Sequence, residues 1–365
     1  MNSGVWGYLF LCASLLFSTG CKKQPEDTGG DSPAGQSGAG SSNYFAWNSL
    51  TLTEAYDKSG KRNSKWDSSA KSALTEFARL RAHIVETNEP FWPIISMNCA
   101  AAVQAGCDDP LIAYLHTRFV LSDQNLSPRQ LAQAYAAAAD ALEQSSYPDI
   151  RKFYASLRAA QQLNSIGGES TNAEPQIFKY RHLASGYLLL ALQDKQMPAR
   201  EADEACYDLL ETLKINEGQY LGLYGQLEPI LFAKWPEASF VWLLQGEANI
   251  KMAWQARGTG YANRVTDEGW KGLEQHLKIA DKALNKAWKL NPKDVRIPLA
   301  MLTVELGQGE GRDRMELWFN RAMELNPLCY DAAYAKLYYL EPKWHGSVED
   351  MLIFGPMRRL VEMGR

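Results

Sequence analysis

Apolar side chains recur every three or four positions along most of the chain from about Ser42 to Arg365. The two-residue alternation of strands bounded by hairpin turns is almost absent, so the pattern predicts an all-α protein. Several helix starts are explicit. Asp109 and Pro110 stand as cap and first-turn proline before LIAYLHTRFVL, and Ser127 and Pro128 stand likewise before RQLAQAYAAAADALEQ. Further helices are predicted over IFKYRHLASGYLLLALQ, PAREADEACYDLLETLKI and FVWLLQGEANIKMAWQA. Ser165–Gln176, SIGGESTNAEPQ, is rich in turn formers and predicts a break between an N-terminal helical region, 44–170, and a C-terminal one, 171–365.

The C-terminal region repeats. Ala280, Leu284, Ala287 and Pro292 carry the A-x-x-x-F-x-x-A spacing, with a proline five residues on, that marks the second helix of a tetratricopeptide unit. Met315, Phe319, Ala322 and Pro327 repeat that spacing one unit of about 34 residues later. The small residue allows close helix approach, the bulky one fills the gap between hairpins, and proline ends the helix. Trp242, Leu244, Gly246 and Ala248 fit the first helix of the earlier unit, with an extra segment from Arg257 to Lys278 between its helices. Pro298, Met301 and Leu302 are poor matches to a first helix, so the repeats are degenerate. Hairpins of this kind cannot bury their apolar faces alone, and stacking them predicts a superhelical solenoid with a concave face.

The N-terminus breaks the helical pattern. Gly4 to Phe17 is an uncharged apolar run, too short for the roughly 20 residues that span a bilayer, and reads as a signal-peptide core. Ser18, Thr19, Gly20 and Cys21 follow and resemble a bacterial lipobox, although Ser18 stands where leucine is usual and the n-region lacks Lys and Arg. The resemblance implies a signal peptide over 1–20 and lipidation of Cys21; the alternative is a freely secreted or periplasmic protein cut at the same bond. Residues 21–43 comprise that cysteine and KKQPEDTGGDSPAGQSGAGSSN, a polar tether of roughly 25 Å r.m.s. reach. Lys22 is not the aspartate that retains lipoproteins at an enterobacterial inner membrane, so the expected location is the cell envelope, on the periplasmic face of the outer membrane.

Composition narrows the function classes. Of 365 residues, 46% are hydrophobic and 22% charged, within the range of chains that fold into packed domains. A net charge of -4 without a basic stripe argues against a nucleic-acid partner. Cys99 and Cys107 are the one close pair left after the N-terminus, and either a disulfide or buried free thiols fits their spacing. H-E-x-x-H, G-x-S-x-G and Walker A motifs are absent, and His83, His116, His182, His276 and His345 are scattered, so no metal site, cofactor or catalytic residue is predicted. Gly307, Gly309 and Gly311 read as an inter-helix turn. A carboxylate pair brought together only in space is not readable from the chain.

One candidate binding cluster stands out: Trp254, Arg257, Trp270, Tyr338, Trp344 and His345, with Tyr339 and Pro342 beside them. Arg257 lies one turn after Trp254, which allows its guanidinium to stack on the indole. These groups either form a pocket for a peptide or sugar or staple the extra segment to the last repeats, and the stapling role is favoured because aromatic clusters at helical spacing are usually core.

WQARGTGYANRVTDEGW, VELGQGEGRDRMELWFNRAMELNP and AKLYYLEPKWHGSVEDML, together with GCDDPLIAYL at Gly106–Leu115, resemble a family of exported bacterial tetratricopeptide-like proteins. The resemblance implies a helical repeat fold and carries over no catalytic residues. The expected function is therefore a membrane-anchored scaffold binding a protein or peptide partner, without catalysis. A glycan-binding lipoprotein resembling the SusD type is the alternative, and a cell-wall or polysaccharide enzyme ranks below it.

Overall fold

The computed structural model describes residues 37–83, 91–166, 173–212 and 216–363. The expected signal peptide, Cys21 and most of the tether lie outside them. Every regular element described is helical. The chain divides into two compact units on either side of 214/215.

The first unit contains α1 (Ser37–Thr51), α2 (Thr53–Ser59), α3 (Asp67–Ala82), α4 (Phe91–Gln104), α5 (Pro110–Phe119), α6 (Pro128–Glu143), α7 (Asp149–Ser165), α8 (Ala173–Ala191) and α9 (Ala199–Thr212). Helix α1 begins inside the segment expected to be tether. The caps act as the sequence predicts. Asp109 accepts from the amides of Leu111 and Ile112, and Ser127 forms a reciprocal capping box with Gln130. Each helix from α3 to α8 packs on its successor or predecessor in the chain, and α1 also packs on α3. The expected break at 165–176 lies within this unit, because α8 returns along α7. Cys99, Cys107 and Cys206 are free thiols, and burial pushes the Cys99 thiol up to about 12.

The second unit contains α10 (Glu217–Lys234), α11 (Ser239–Arg257), α12 (Asp267–Leu290), α13 (Arg296–Gln308), α14 (Arg312–Leu325), α15 (Tyr330–Tyr339) and α16 (Val348–Met363). Sequential neighbours pack from α10 to α16, and the alternate helices α11, α13 and α15 also touch in turn. The core runs through Leu277, Ala280, Leu284, Ala287, Met301, Met315 and Ala322, all buried. Here the structure departs from the expected assignment of the bulky position: Trp318 is buried, whereas Phe319 is only partly so and packs edge-on to Phe354 with ring centroids 5.7 Å apart. The extra segment is mostly not a loop. It lengthens the hairpin, giving α11 19 residues and α12 24, against 13 and 14 in α13 and α14. Thr266 caps α12 by accepting from the Gly269 amide at 3.0 Å.

Candidate functional site

The lengthened hairpin determines where the aromatic cluster forms. Trp254 and Arg257 lie in the last turn of α11, Trp270 in the first turn of α12, Tyr338 near the end of α15, and Trp344 and His345 in the connection to α16. Trp254 and Trp344 meet edge to face, with centroids 5.8 Å apart and planes at 89°, and Tyr338 lies 5.8 Å from Trp344. Edge-to-face contact places the positive rim of one ring against the negative face of the other. Arg257 joins the group: its guanidinium carbon lies 5.8 Å from the Trp254 ring centroid, 5.4 Å from that of Trp270 and 5.7 Å from that of Trp344. Its Nη1 donates to the carbonyls of Gly258 and Gly260, and it has no carboxylate partner among the described residues. Burial lowers its pKa, with Tyr338 opposing.

His345 is tied on separately. Its Nε2 lies 2.8 Å from the Leu306 carbonyl, so that nitrogen carries the proton in this contact, and its ring lies 4.5 Å from Tyr339. Gly309 makes room for it. Its φ of +64° suits glycine, and a Cβ there would come within 2.9 Å of the imidazole. The inner part of the cluster thus joins α11, the end of α13 and the α15–α16 connection. Its outer edge is open, with Trp270 39% exposed and nearby Tyr261 70% exposed.

A second concentration of charge was not predicted from sequence. In the first unit, Phe77 and Arg81 of α3, Leu111, Tyr114 and Arg118 of α5, and Arg151, Tyr154 and Arg158 of α7 surround a small, partly open hollow. Glu201 of α9 is fully buried against this group. It accepts from the hydroxyls of Tyr44 at 2.5 Å and Tyr154 at 2.7 Å, and it pairs with Arg81 at 2.8 Å. Burial alone would raise the Glu201 pKa; the fields of Arg81 and Arg151 and the two tyrosine hydrogen bonds overcome it and hold the carboxyl low. Glu204 pairs with Arg81 at 3.0 Å. Arg151, 3% exposed, donates to Asn48 and Thr51, and burial lowers its pKa against the pull of Glu201. Asp208 lies one turn beyond Glu204 on α9, and burial raises its pKa against the opposing fields of Arg158, Arg81 and Arg118.

The signal for this hollow was present in the chain but unremarked. Leu111, Tyr114 and Arg118, and again Arg151, Tyr154 and Arg158, stand at i, i+3 and i+7, placing arginine on the inward stripe of two helices. Among the described residues no group of three or more His, Cys, Asp or Glu side chains has the arrangement of a metal site, and no helix is long and apolar enough to cross a membrane. No family model, curated protein or solved structure matches the chain.

Proposed function

We propose that the chain is an exported, lipid-anchored tetratricopeptide-like scaffold that holds a protein or peptide partner in the cell envelope. Three features support this reading: chain-sequential packing of helices, small buried residues at Ala280, Ala287 and Ala322, and a signal-like N-terminus with a cysteine at its end. The observation that carries partner binding is Arg257, set among three indoles, one of them the exposed Trp270, and without a carboxylate partner among the described residues, with the exposed Tyr261 in the connection that follows α11. Trp, Tyr and Arg are the side chains that most often dominate recognition energy, and a guanidinium already held by aromatic faces loses little freedom when a partner's acceptor arrives.

A photo-crosslinking residue in place of Tyr261, introduced into the envelope-located protein, tests the reading. The expected result is one discrete protein adduct that disappears on Arg257→Ala. Absence of an adduct, or one indifferent to Arg257, overturns partner binding at this surface. The exposed ring of Trp270 also favours a second reading, glycan binding by stacking, for which calorimetry against envelope polysaccharides should give binding lost on Trp270→Ala.

A further inference from the structure

We infer that the arginine-lined hollow of the first unit is an oxyanion site, taking a single carboxylate or phosphate group carried by a ligand. The site lies in a different unit from the Arg257 cluster and does not depend on the reading of that cluster.

The imbalance of partners is the first argument. Of the four guanidiniums around the hollow, Arg81 alone is paired with carboxylates, Glu201 and Glu204, among the described residues. Arg118 makes no side-chain hydrogen bond or ion pair among the described residues; its guanidinium carbon rests 5.4 Å from the Phe77 ring centroid and 5.3 Å from that of Phe119. Arg158 gives Nη1 to Gln161 at 2.9 Å, and its Nε is buried without a partner. Among the described residues Arg151 meets only the neutral oxygens of Asn48 and Thr51, and its Nε too is buried without a partner. The Tyr114 hydroxyl, also buried, has no partner. A buried donor left unpaired is costly, more so when charged, so an acceptor placed among these groups is favoured.

Geometry supplies the second argument. The arginines come from three different helices, and Arg118 and Arg151 are backed by aromatic rings, Arg151 by Trp47 at 5.7 Å. Forks held by ring faces are pre-organised for the planar, bidentate contacts that carboxylate and phosphate make. The acids packed against this group, Glu201, Glu204 and Asp208, come from α9; Glu201 and Glu204 are committed to Arg81, and Asp208 lies in the fields of Arg158, Arg81 and Arg118, so three carboxyls stand against four guanidiniums. The hollow is narrow and open on one side, so at most one group of a ligand reaches the guanidiniums through its mouth, and a polymer chain does not enter.

Calorimetric titration of the mature protein with inorganic phosphate, succinate and a short Asp- and Glu-rich peptide, at constant ionic strength, tests the site. Saturable binding is expected, weakened about tenfold or more in Arg118→Gln and Arg158→Gln through loss of charge-assisted hydrogen bonds. Arg129→Gln, an exposed position outside the hollow with the same change of charge, should bind as wild type. Thermal melting of each variant in chloride checks that it is folded before binding is read, with Arg118→Gln expected to retain its fold because its guanidinium makes no hydrogen bond. Phosphate binding alone supports a free small anion as the ligand; peptide binding in competition with phosphate supports the carboxylates of a partner. Absence of saturable binding to all three probes, or an equal loss in Arg129→Gln, overturns the inference.

Discussion

Glu305 of α13 illustrates how one residue can make stability depend on pH. It is 1% exposed, and burial raises its carboxyl to about 7; Arg314 opposes that shift from 2.8 Å, while Asp281 and Glu310 reinforce it. The unfolded chain releases this proton near 4.5, whereas the folded protein keeps it until about 7. Stability therefore falls as pH rises from about 4.5 through 7 and is flat above, since the native state binds more protons across that window. Glu305→Gln should remove the slope and raise stability by about 2 kcal/mol at pH 8. Chemical denaturation at pH 5 and pH 8 checks this, and identical pH dependence in variant and wild type would disprove it. The two tryptophans of the aromatic cluster should behave differently from each other. Trp344 packs on Trp254 and Tyr338, so Trp344→Ala should cost about 2 kcal/mol, below the roughly 3–5 typical of a fully buried indole. Trp270 is exposed at one edge, and its loss should cost under about 1 kcal/mol. Equal losses of melting temperature would mean that both serve only as staples.

Between elements, the decisive contacts are made by small residues. Gly246 of α11 faces Leu284 of α12, and a Cβ there would sit 2.5 Å from the leucine Cγ. Gly246→Ala gains about 1 kcal/mol of helix propensity but forces a fully buried Leu284 to move, an overpacking cost of about 1–3 kcal/mol. The net expectation is destabilisation, read as a lower urea midpoint, and relief by the double variant Gly246→Ala, Leu284→Ala would locate the clash. Ala287 and Ala322, which the proposed repeat register makes equivalent, are both fully buried, and tryptophan at either should lower the melting temperature. Unchanged melting in both variants would mean that the repeat register is wrong. The caps of α5 and α6 were legible because each depends on a side chain within three residues of the amide it satisfies. The length of α11 and α12 was not, because an extra segment between two helices can extend either helix or bulge as a loop at similar local cost, and packing between the two helices decides.

For the whole molecule, the N-terminal reading makes one clear prediction. Cys21→Ser should release the protein from membranes into the soluble envelope fraction, because the polar segment after it has no membrane affinity and stable anchoring needs more than one acyl chain. Fractionation together with fatty-acid labelling checks it, and an unlabelled wild type would remove the lipoprotein reading. By itself the sequence determined the helical class, the starts of α5 and α6, and the small residues Ala280, Ala287 and Ala322 that the core buries, because periodicity and capping act over a few neighbouring residues. It also marked the residues around Trp254, whose cluster draws on three stretches each conspicuous for its aromatics. Only the tertiary structure decided that the chain divides near 214/215 and that α8 belongs with α7. It alone brought Arg81, Arg118, Arg151 and Arg158 to one hollow with Glu201 opposite. Those side chains lie far apart along the chain, and their charge balance is set by which helices pack together, a choice made by the summed burial of many apolar faces that no local pattern records.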